Sequence, residues 1–538
     1  MYSSGFFSKV LLALSYVAVA GILVYGVYTG YLILVESSGV AELIINLFVL
    51  VVEVIIGFYA CFLMFHNAWA IHPQPTLGPV KRSTHSPLVT IVLPTYNPDL
   101  YALETNLLHL QMVDYPNLEV VITDNSNNPA ILAGLEDLGQ RFGHTFIHRD
   151  STEGFKAGNL NYALEAIGGE YFVVVDVDQT LSPEIIPRFV QCFLEDESGT
   201  LAYVQAKFEV QNATNLVRTA TTILYTFYYD VIALGKNLRQ TVLFNGTSAC
   251  LRTEIVRRVG GFPENSFTED VSFSYRLLTQ GYTARFLNEV ATQALLQWRL
   301  DDLLSSFWRW THGGTALLRQ YGRQIASSPL SWGRKVELYL NGTSFVAFSG
   351  ALVVALSFLL MYWGNLTLVR PVVWIFPLAV IFPSLLTLNH LFSCILGMVE
   401  SGTLRRIPYL IPYGVASLCL SFFIVLPTLY ALLGMKGPQS KGSQWNRRMN
   451  KWLVVLVLSV LTLVFAWSSL SAYQQATWEF TGFFAMMTLA AVSPIPFLAY
   501  DRFIDEEVEN YRYFKTLREN RGLPAGSHHK PKLTTEEI

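Results

Sequence analysis

The sequence predicts an α/β domain inserted between α-helical transmembrane segments, and hence a polytopic membrane protein. Three observations carry this reading. The 538 residues are 52% hydrophobic and their mean hydropathy is +0.36, which is too apolar for an ordinary soluble chain. The apolar residues collect in long runs at both ends, while the stretch from Pro79 to Pro329 is mixed and charged. Inside that stretch, short β-branched segments alternate with helix-patterned ones.

Taken in order, residues 1–78 hold two apolar runs, Val10–Val35 and Leu43–Phe65. Each is long enough to cross a ~30 Å hydrocarbon core, which needs roughly 20 residues. The first is too long for a removable signal peptide and lacks a small-residue cleavage site. Residues 79–300 form the soluble domain, and 301–335 read as amphipathic interfacial helices. Region 336–500 returns to the membrane with apolar runs at 338–363, 371–399, 407–434, 452–470 and 478–499. The charged tail 501–538 reads as partly disordered.

Basic residues set the expected topology. Loops 36–40 and 471–476 lack Lys and Arg and read as external. The loop 435–451 carries Lys436, Lys441, Arg447, Arg448 and Lys451 without an acid, and reads as cytoplasmic. An even number of spans must separate it from a cytoplasmic domain, yet three apolar runs intervene. Segment 407–434, broken by Pro408, Pro412 and Pro427, is therefore assigned to the interface, leaving six spans. The expected location is a multi-pass plasma (inner) membrane with the soluble domain and the tail in the cytoplasm.

In the soluble domain, "LVTIVLPTYN" (88–97), "LEVVITDNS" (118–126) and "YFVVVDVD" (171–178) read as strands of a parallel sheet, each ending in polar residues. Ligands of such sheets bind outside the carboxyl ends of the strands. Asn97, Asp124, Asp176 and Asp178 all fall there. On a strand, Asp176 and Asp178 would point to one side, an arrangement that costs repulsion unless a cation or donors compensate it. A solvated loop with alternating acids is the other reading.

"SFTEDVSFSYRLLTQG" puts Glu269 and Asp270 in the first turn of an amphipathic helix that Thr268 could cap. These are either site acids or ordinary helix-start acids. In "FWRWTHGG", Trp308 and Trp310 flank Arg309 just before a membrane entry. That pattern fits a ligand site or an interfacial aromatic belt.

With "KAGNLNYAL" (156–164) and "FNGTSACLR" (244–252) joining Asp124, the Asp176–Asp178 pair, Thr268–Asp270 and Arg309–Trp310, the chain resembles a processive family 2 glycosyltransferase of the cellulose, hyaluronan and chitin synthase group. The likeness runs from about residue 88 to 345 and more loosely through the membrane segments; "YLNGTSF" (339–345) resembles the matching helix of bacterial cellulose synthase. It implies a GT-A fold and inverting transfer from a UDP-sugar donor to a growing β-linked glycan acceptor. By the same likeness, Thr95, Asn97, Asp124, Lys156, Asp176 and Arg309 bind the donor nucleotide, and Asp178 binds Mg²⁺ or Mn²⁺. Asp270 is implied as the general base, with Glu269 beside it and Thr268 and Trp310 on the acceptor.

Two departures stand out. Ser306 replaces the glutamine of the family's Gln-x-x-Arg-Trp pattern, and the tail is too short for the cyclic-di-GMP-binding β-barrel of bacterial cellulose synthase. The segment "GMKGPQSKGSQW" (434–445) matches the family's gating loop in position only.

In the membrane half, Glu53 sits mid-span, where a carboxylate is costly. It is either a hydroxyl-binding group of a glycan channel or the acceptor of an interhelical hydrogen bond; Asn389 and His390 pose the same choice and read as structural. The net charge of −3 implies no affinity for nucleic acid, and five scattered cysteines imply neither disulfides nor zinc. Expected partners are the donor, the glycan, the lipid bilayer and an export partner in the periplasm or cell wall. The competing functions are a non-processive transferase that glycosylates a membrane lipid, and a glycan channel or transporter with an inactive transferase domain.

Overall fold

The computed structural model describes residues 2–75, 77–79, 86–211, 216–295, 300–367, 369, 378–435, 451–475, 477–493, 495 and 506–524. The chain opens on two long helices, α1 (Tyr2–Glu36) and α2 (Val40–Ile71). Contacts Ser8–Ala68 and Tyr25–Glu53 show that they run antiparallel.

The soluble domain then proceeds through β1 (Val89–Thr95), α3 (Leu100–Leu110), β2 (Leu118–Asp124), α4 (Pro129–Phe142), β3 (Thr145–His148), α5 (Phe155–Ala163) and β4 (Tyr171–Val174). After these come β5 (Gln179–Leu181), α6 (Ile185–Leu194), β6 (Leu201–Val210), α7 (Leu216–Phe227), a π-helical turn (Tyr228–Ala233) and α8 (Leu234–Arg239). It ends with β7 (Ala249–Arg252), α9 (Thr253–Arg258), α10 (Glu269–Thr279) and β8 (Thr283–Ala294).

Local chemistry sets these boundaries. Asp99 caps α3 by accepting from Tyr101 N, and Asn128 caps α4, which starts on Pro129. Gly143 closes α4 at φ +67°, a conformation that a side chain resists.

The eight strands form one sheet in the order β3-β2-β1-β4-β7-β6-β8-β5. Strands β3, β2, β1 and β4 are parallel, but β7 runs antiparallel to both β4 and β6, and β5 is antiparallel to β8. The three strands expected to be parallel, β1, β2 and β4, are parallel, and the strands not anticipated, β5 and β7, make the whole sheet mixed. The reason lies in "ACLR", a four-residue strand too short to be read from periodicity, entered from a loop and not from a crossover helix. Alternation along the strands divides the core. Val92, Phe172, Val174 and Leu251 pack on one face, and Ile91, Leu93, Val173 and Cys250 on the other.

The amphipathic α11 (Leu300–Ser327) leads into α12 (Trp332–Trp363), α13 (Leu378–Glu400), a 3₁₀ turn (Leu404–Tyr409), α14 (Leu410–Leu432), α15 (Lys451–Gln474) and α16 (Trp478–Val492). Among the described residues, four helices are long and apolar enough to cross a membrane: Gly5–Glu36, Val40–Ile71, Trp332–Trp363 and Val455–Gln474. Segment 436–450, which holds most of the basic loop, lies outside the described residues. In the tail, Glu506–Arg521 form a helix, α17, packed on α3.

Candidate active site

At the carboxyl ends of β1 and β2, Thr95 and Asp124 are paired in register. Asp124 is fully buried and accepts from Thr95 Oγ1 at 2.7 Å, Ser126 N at 2.9 Å, Ser126 Oγ at 2.6 Å and His148 Nδ1 at 2.9 Å. Donors therefore meet both oxygens, and the carboxylate acts as the node of a rigid strand-end network. Asn97 adopts φ +44°, with its amide nitrogen donating to Ser126 Oγ at 2.7 Å. Ser126 and His148 were not singled out in the sequence, although "TDNS" sits in the strand that supplied Asp124.

Strand β4 stops at Val174, so Asp176 and Asp178 lie on the turn into β5 and not on the strand itself. Gln179 N closes that turn on Asp176 O at 3.0 Å. The strand placement expected for the pair is thus corrected: a tight turn carries both acids and gives them different environments. Asp178 is exposed. Asp176 is half-buried and accepts from Lys156 Nζ at 2.5 Å. Lys156 also donates to Gly246 O at 2.9 Å. Burial works to lower the lysine's pKa, but the charge and hydrogen bond of Asp176 outweigh it and hold the ammonium above its ordinary value.

Gly246 connects this pair to α10. Its φ is +81°, and a Cβ there would stand 3.2 Å from Asp270 Oδ2. The "FNGTSACLR" segment thus brings Lys156, Asp176 and Asp270 around one glycine. Thr247 Oγ1 and Ser248 Oγ fasten the loop, through Gln179 and Thr292.

Burial raises the Glu269 carboxyl, against the lowering fields of Lys156 and Arg309. Burial, followed by the neighbouring Glu269 charge, pushes Asp270 up to about 7. A carboxylate poised near neutrality suits a general base. Thr268 occupies the N-cap position but makes no side-chain cap bond. Among the described residues its buried hydroxyl has no hydrogen-bond partner; it lies against Gly313 of α11, and its φ of −129° and ψ of 71° turn it away from the helix amides. The capping expectation is corrected accordingly.

On α11, Arg309 is exposed, its charge acts on Glu269, and its guanidinium lies 3.5 Å from Ser306 Oγ. Trp310 packs edge-on against Phe307, with ring centroids 5.1 Å apart, beside the cluster of Leu303, Leu420 and Leu458. Trp308 faces Tyr430 of α14. Tyr225 of α7 and Tyr228 of the π-helical turn after it lie within the fields of Asp178 and Asp270 respectively, and Tyr228 donates to Asn245 Oδ1 at 2.8 Å. Both were missed, because nothing in an apolar helix marks them.

Of the two readings of Glu53, the interhelical hydrogen bond is the one with a partner in the structure. The carboxylate is fully buried between α1 and α2 and accepts from Tyr25 Oη at 2.9 Å. In hydrocarbon an acid is tolerable when a neighbouring helix supplies a donor. Asn389 bonds Ala60 O and Asn67, and His390 bonds Tyr413, which are likewise interhelical ties.

Among the described residues, no three His, Cys, Asp or Glu side chains group to hold a metal ion. Asp178 at the mouth fits the lighter requirement of a hard cation held by one or two carboxylates and by the phosphate oxygens of a ligand.

Residues 86–313 match the family model described as glycosyltransferase like family 2. This segment is similar to family 2 glycosyltransferase domains. Its mixed sheet with a short turn of acids after the fourth strand is of the GT-A kind. The chain is 25% identical over 387 residues to a cellulose synthase 2 of Novacetimonas hansenii, covering 69% of this chain and 23% of that one. It is 24% identical over 290 residues to the UDP-forming cellulose synthase catalytic subunit of Pseudomonas fluorescens, covering 52% and 38%. A mannosyltransferase from Pyrobaculum calidifontis, solved with GDP-Man and Mn²⁺, superposes with a TM-score of 0.48 at 15% identity, over 73% of this chain and all of that one. The chain thus spans well under half the length of these two curated relatives.

Proposed function

We propose that the protein is a membrane-embedded inverting transferase that polymerises a UDP-sugar into a β-linked polysaccharide and passes the product across the membrane. One observation carries this reading. Lys156, Asp176 and Asp270 converge on Gly246, with Glu269 and Arg309 beside them, at the sheet's carboxyl ends and against α11, the amphipathic helix that leads into α12.

In this arrangement Asp270 takes the proton from the acceptor hydroxyl, and its pKa near 7 lets it be both ionised and basic at neutral pH. Arg309 offers a fixed fork of donors to the departing diphosphate. Lys156 balances Asp176 and adds positive charge on the donor side. Asp124, with Thr95, holds the strand ends against which the nucleoside lies, and Asn97 borders the same end. Trp310 presents an indole face to the acceptor sugar, and Thr268 an unbonded hydroxyl. Asp178 would hold Mg²⁺ or Mn²⁺, which supplies charge to the diphosphate when bound.

The similarity to cellulose synthases supports polymerisation, and the position of α17 supports the topology. A tail helix seated on the transferase domain requires an even number of crossings between them. Among the described residues five helices, α12 to α16, intervene, an odd number, which the reading meets by keeping one of them at the interface. We assign that role to α14, which packs on the amphipathic α11, and we place the domain in the cytoplasm under a plasma membrane. The test is to incubate detergent-purified protein with a panel of UDP-sugars and Mg²⁺ or Mn²⁺, then size the product and digest it with linkage-specific hydrolases. Polymer supports the reading; a single sugar on lipid, or no UDP release, would overturn it.

A further inference from the structure

The helix α17 looks like a solvated charged helix in its sequence, "EEVENYRYFKTLRENR", yet it buries a cation. Arg518 is 2% exposed, and so is Glu104 of α3, to which its guanidinium donates at 3.0 Å. The same guanidinium donates to Thr105 Oγ1 at 2.7 Å, Tyr101 O at 3.2 Å and Pro524 O at 3.1 Å. It also lies 4.1 Å above the Tyr101 ring. Glu104 receives a second donor, Arg141 of α4, at 2.6 Å. A buried guanidinium is tolerated only when its donors are matched in this way. Around it, Tyr511 and Phe514 close on Tyr101 and Ala102.

What lies beyond this contact gives it meaning. Val177, the residue between Asp176 and Asp178, packs against the same apolar cluster, as does Leu295. Next to Thr105 on α3, Asn106 Nδ2 donates to Asp176 O at 3.3 Å. The acidic turn is therefore gripped at its backbone by α3 and at its central side chain by the cluster that α17 completes. Asp178 itself is exposed, so its direction depends on the backbone of this turn.

We propose that α17 is a strap that positions the Asp176–Asp178 turn for the donor diphosphate and its cation, with Arg518 as the positioning residue. Released from Arg518, α3 no longer holds Asn106 and Val177 in place, and the turn loses the fixed geometry that a phosphate-bridging cation demands. The strap acts on donor and metal binding and leaves Asp270 and Glu269, on α10, where they are. This rests on the reading of the cleft as a nucleotide-sugar site, and the test separates the two.

Full-length protein, wild type, Arg518→Met, Arg518→Lys and Tyr511→Ala, is titrated with UDP in the presence of Mn²⁺ and no acceptor. Turnover is then measured at saturating donor and metal, and the thermal transition of each sample is recorded. The strap predicts that Arg518→Met and Tyr511→Ala weaken UDP–Mn²⁺ binding, the former by about tenfold, since small displacements of a binding group are costly. Turnover at saturation should stay within about twofold of wild type, and Arg518→Lys should fall between wild type and Arg518→Met. Unchanged UDP–Mn²⁺ binding in both Arg518→Met and Tyr511→Ala overturns the strap. So does parallel loss of binding, saturated turnover and thermal stability in both, which marks a merely structural contact. If wild type itself binds no UDP, the failure belongs to the proposed function.

Discussion

Lys156 and Asp176 form an ion pair, Nζ to Oδ1 at 2.5 Å, whose lysine also holds the carbonyl of Gly246 beside Asp270. One cation thus serves three acids, because its field also lowers the carboxyls of Glu269 and Asp270. Lys156→Met should raise the pKa of Asp270 and move the acid limb of the pH–rate profile to higher pH. The measurement is kcat/KM against pH for wild type and variant; coincident limbs would remove Lys156 from the electrostatics of the base.

The pH dependence of the wild type follows from the same carboxyl. Asp270 must be ionised to accept a proton, and its pKa is about 7. Below that value kcat/KM should rise about tenfold per pH unit, flattening above it. Stability runs the other way. Folding raises this carboxyl from its usual 3.8, so its contribution is full below that value and is lost as pH climbs through about 7. Thermal transitions recorded at pH 5 and pH 8 check the sign.

Asp178→Asn should abolish transfer by weakening cation and diphosphate binding, since an amide lacks the carboxylate's charge. Turnover at limiting Mg²⁺ checks it. Activity near wild type under that condition would move the cation elsewhere.

Trp310 and Trp308 provide an internal comparison. Trp310 packs on Phe307, whereas Trp308 faces Tyr430. If Trp310 stacks on the acceptor sugar, Trp310→Phe should cut polymer yield by ~10²-fold, as small displacements of reacting groups can. Trp308→Phe should be tolerated, since a membrane belt accepts any amphipathic aromatic. Yield per mole of inserted protein separates the two; equal, near-normal yields return Trp310 to the membrane surface.

Much of this architecture was legible in the sequence, for physical reasons. β1, β2 and β4 are β-branched runs with polar ends, and the membrane helices are long apolar runs; both patterns are local. What was hidden depended on contacts far apart in sequence. β7 is four residues long and acquires its direction from β4 and β6. Lys156 meets Asp176 through the return of α5 beneath the sheet, and Tyr25 meets Glu53 through the packing of α1 on α2. The burial of α17 was the least visible, because its apolar face is only Tyr511, Phe514 and neighbours, completed by an arginine that reads as a surface residue until Glu104 is placed opposite it.

The central claim is that Asp270 is the base acting on the acceptor, in a cleft whose other residues hold the donor. The most direct measurement sets UDP affinity beside transfer rate in Asp270→Asn. Donor affinity should stay close to wild type while transfer falls by ~10²–10⁴-fold, the usual loss on removing a positioned base. Equal losses in affinity and rate would place Asp270 on the donor and contradict the account.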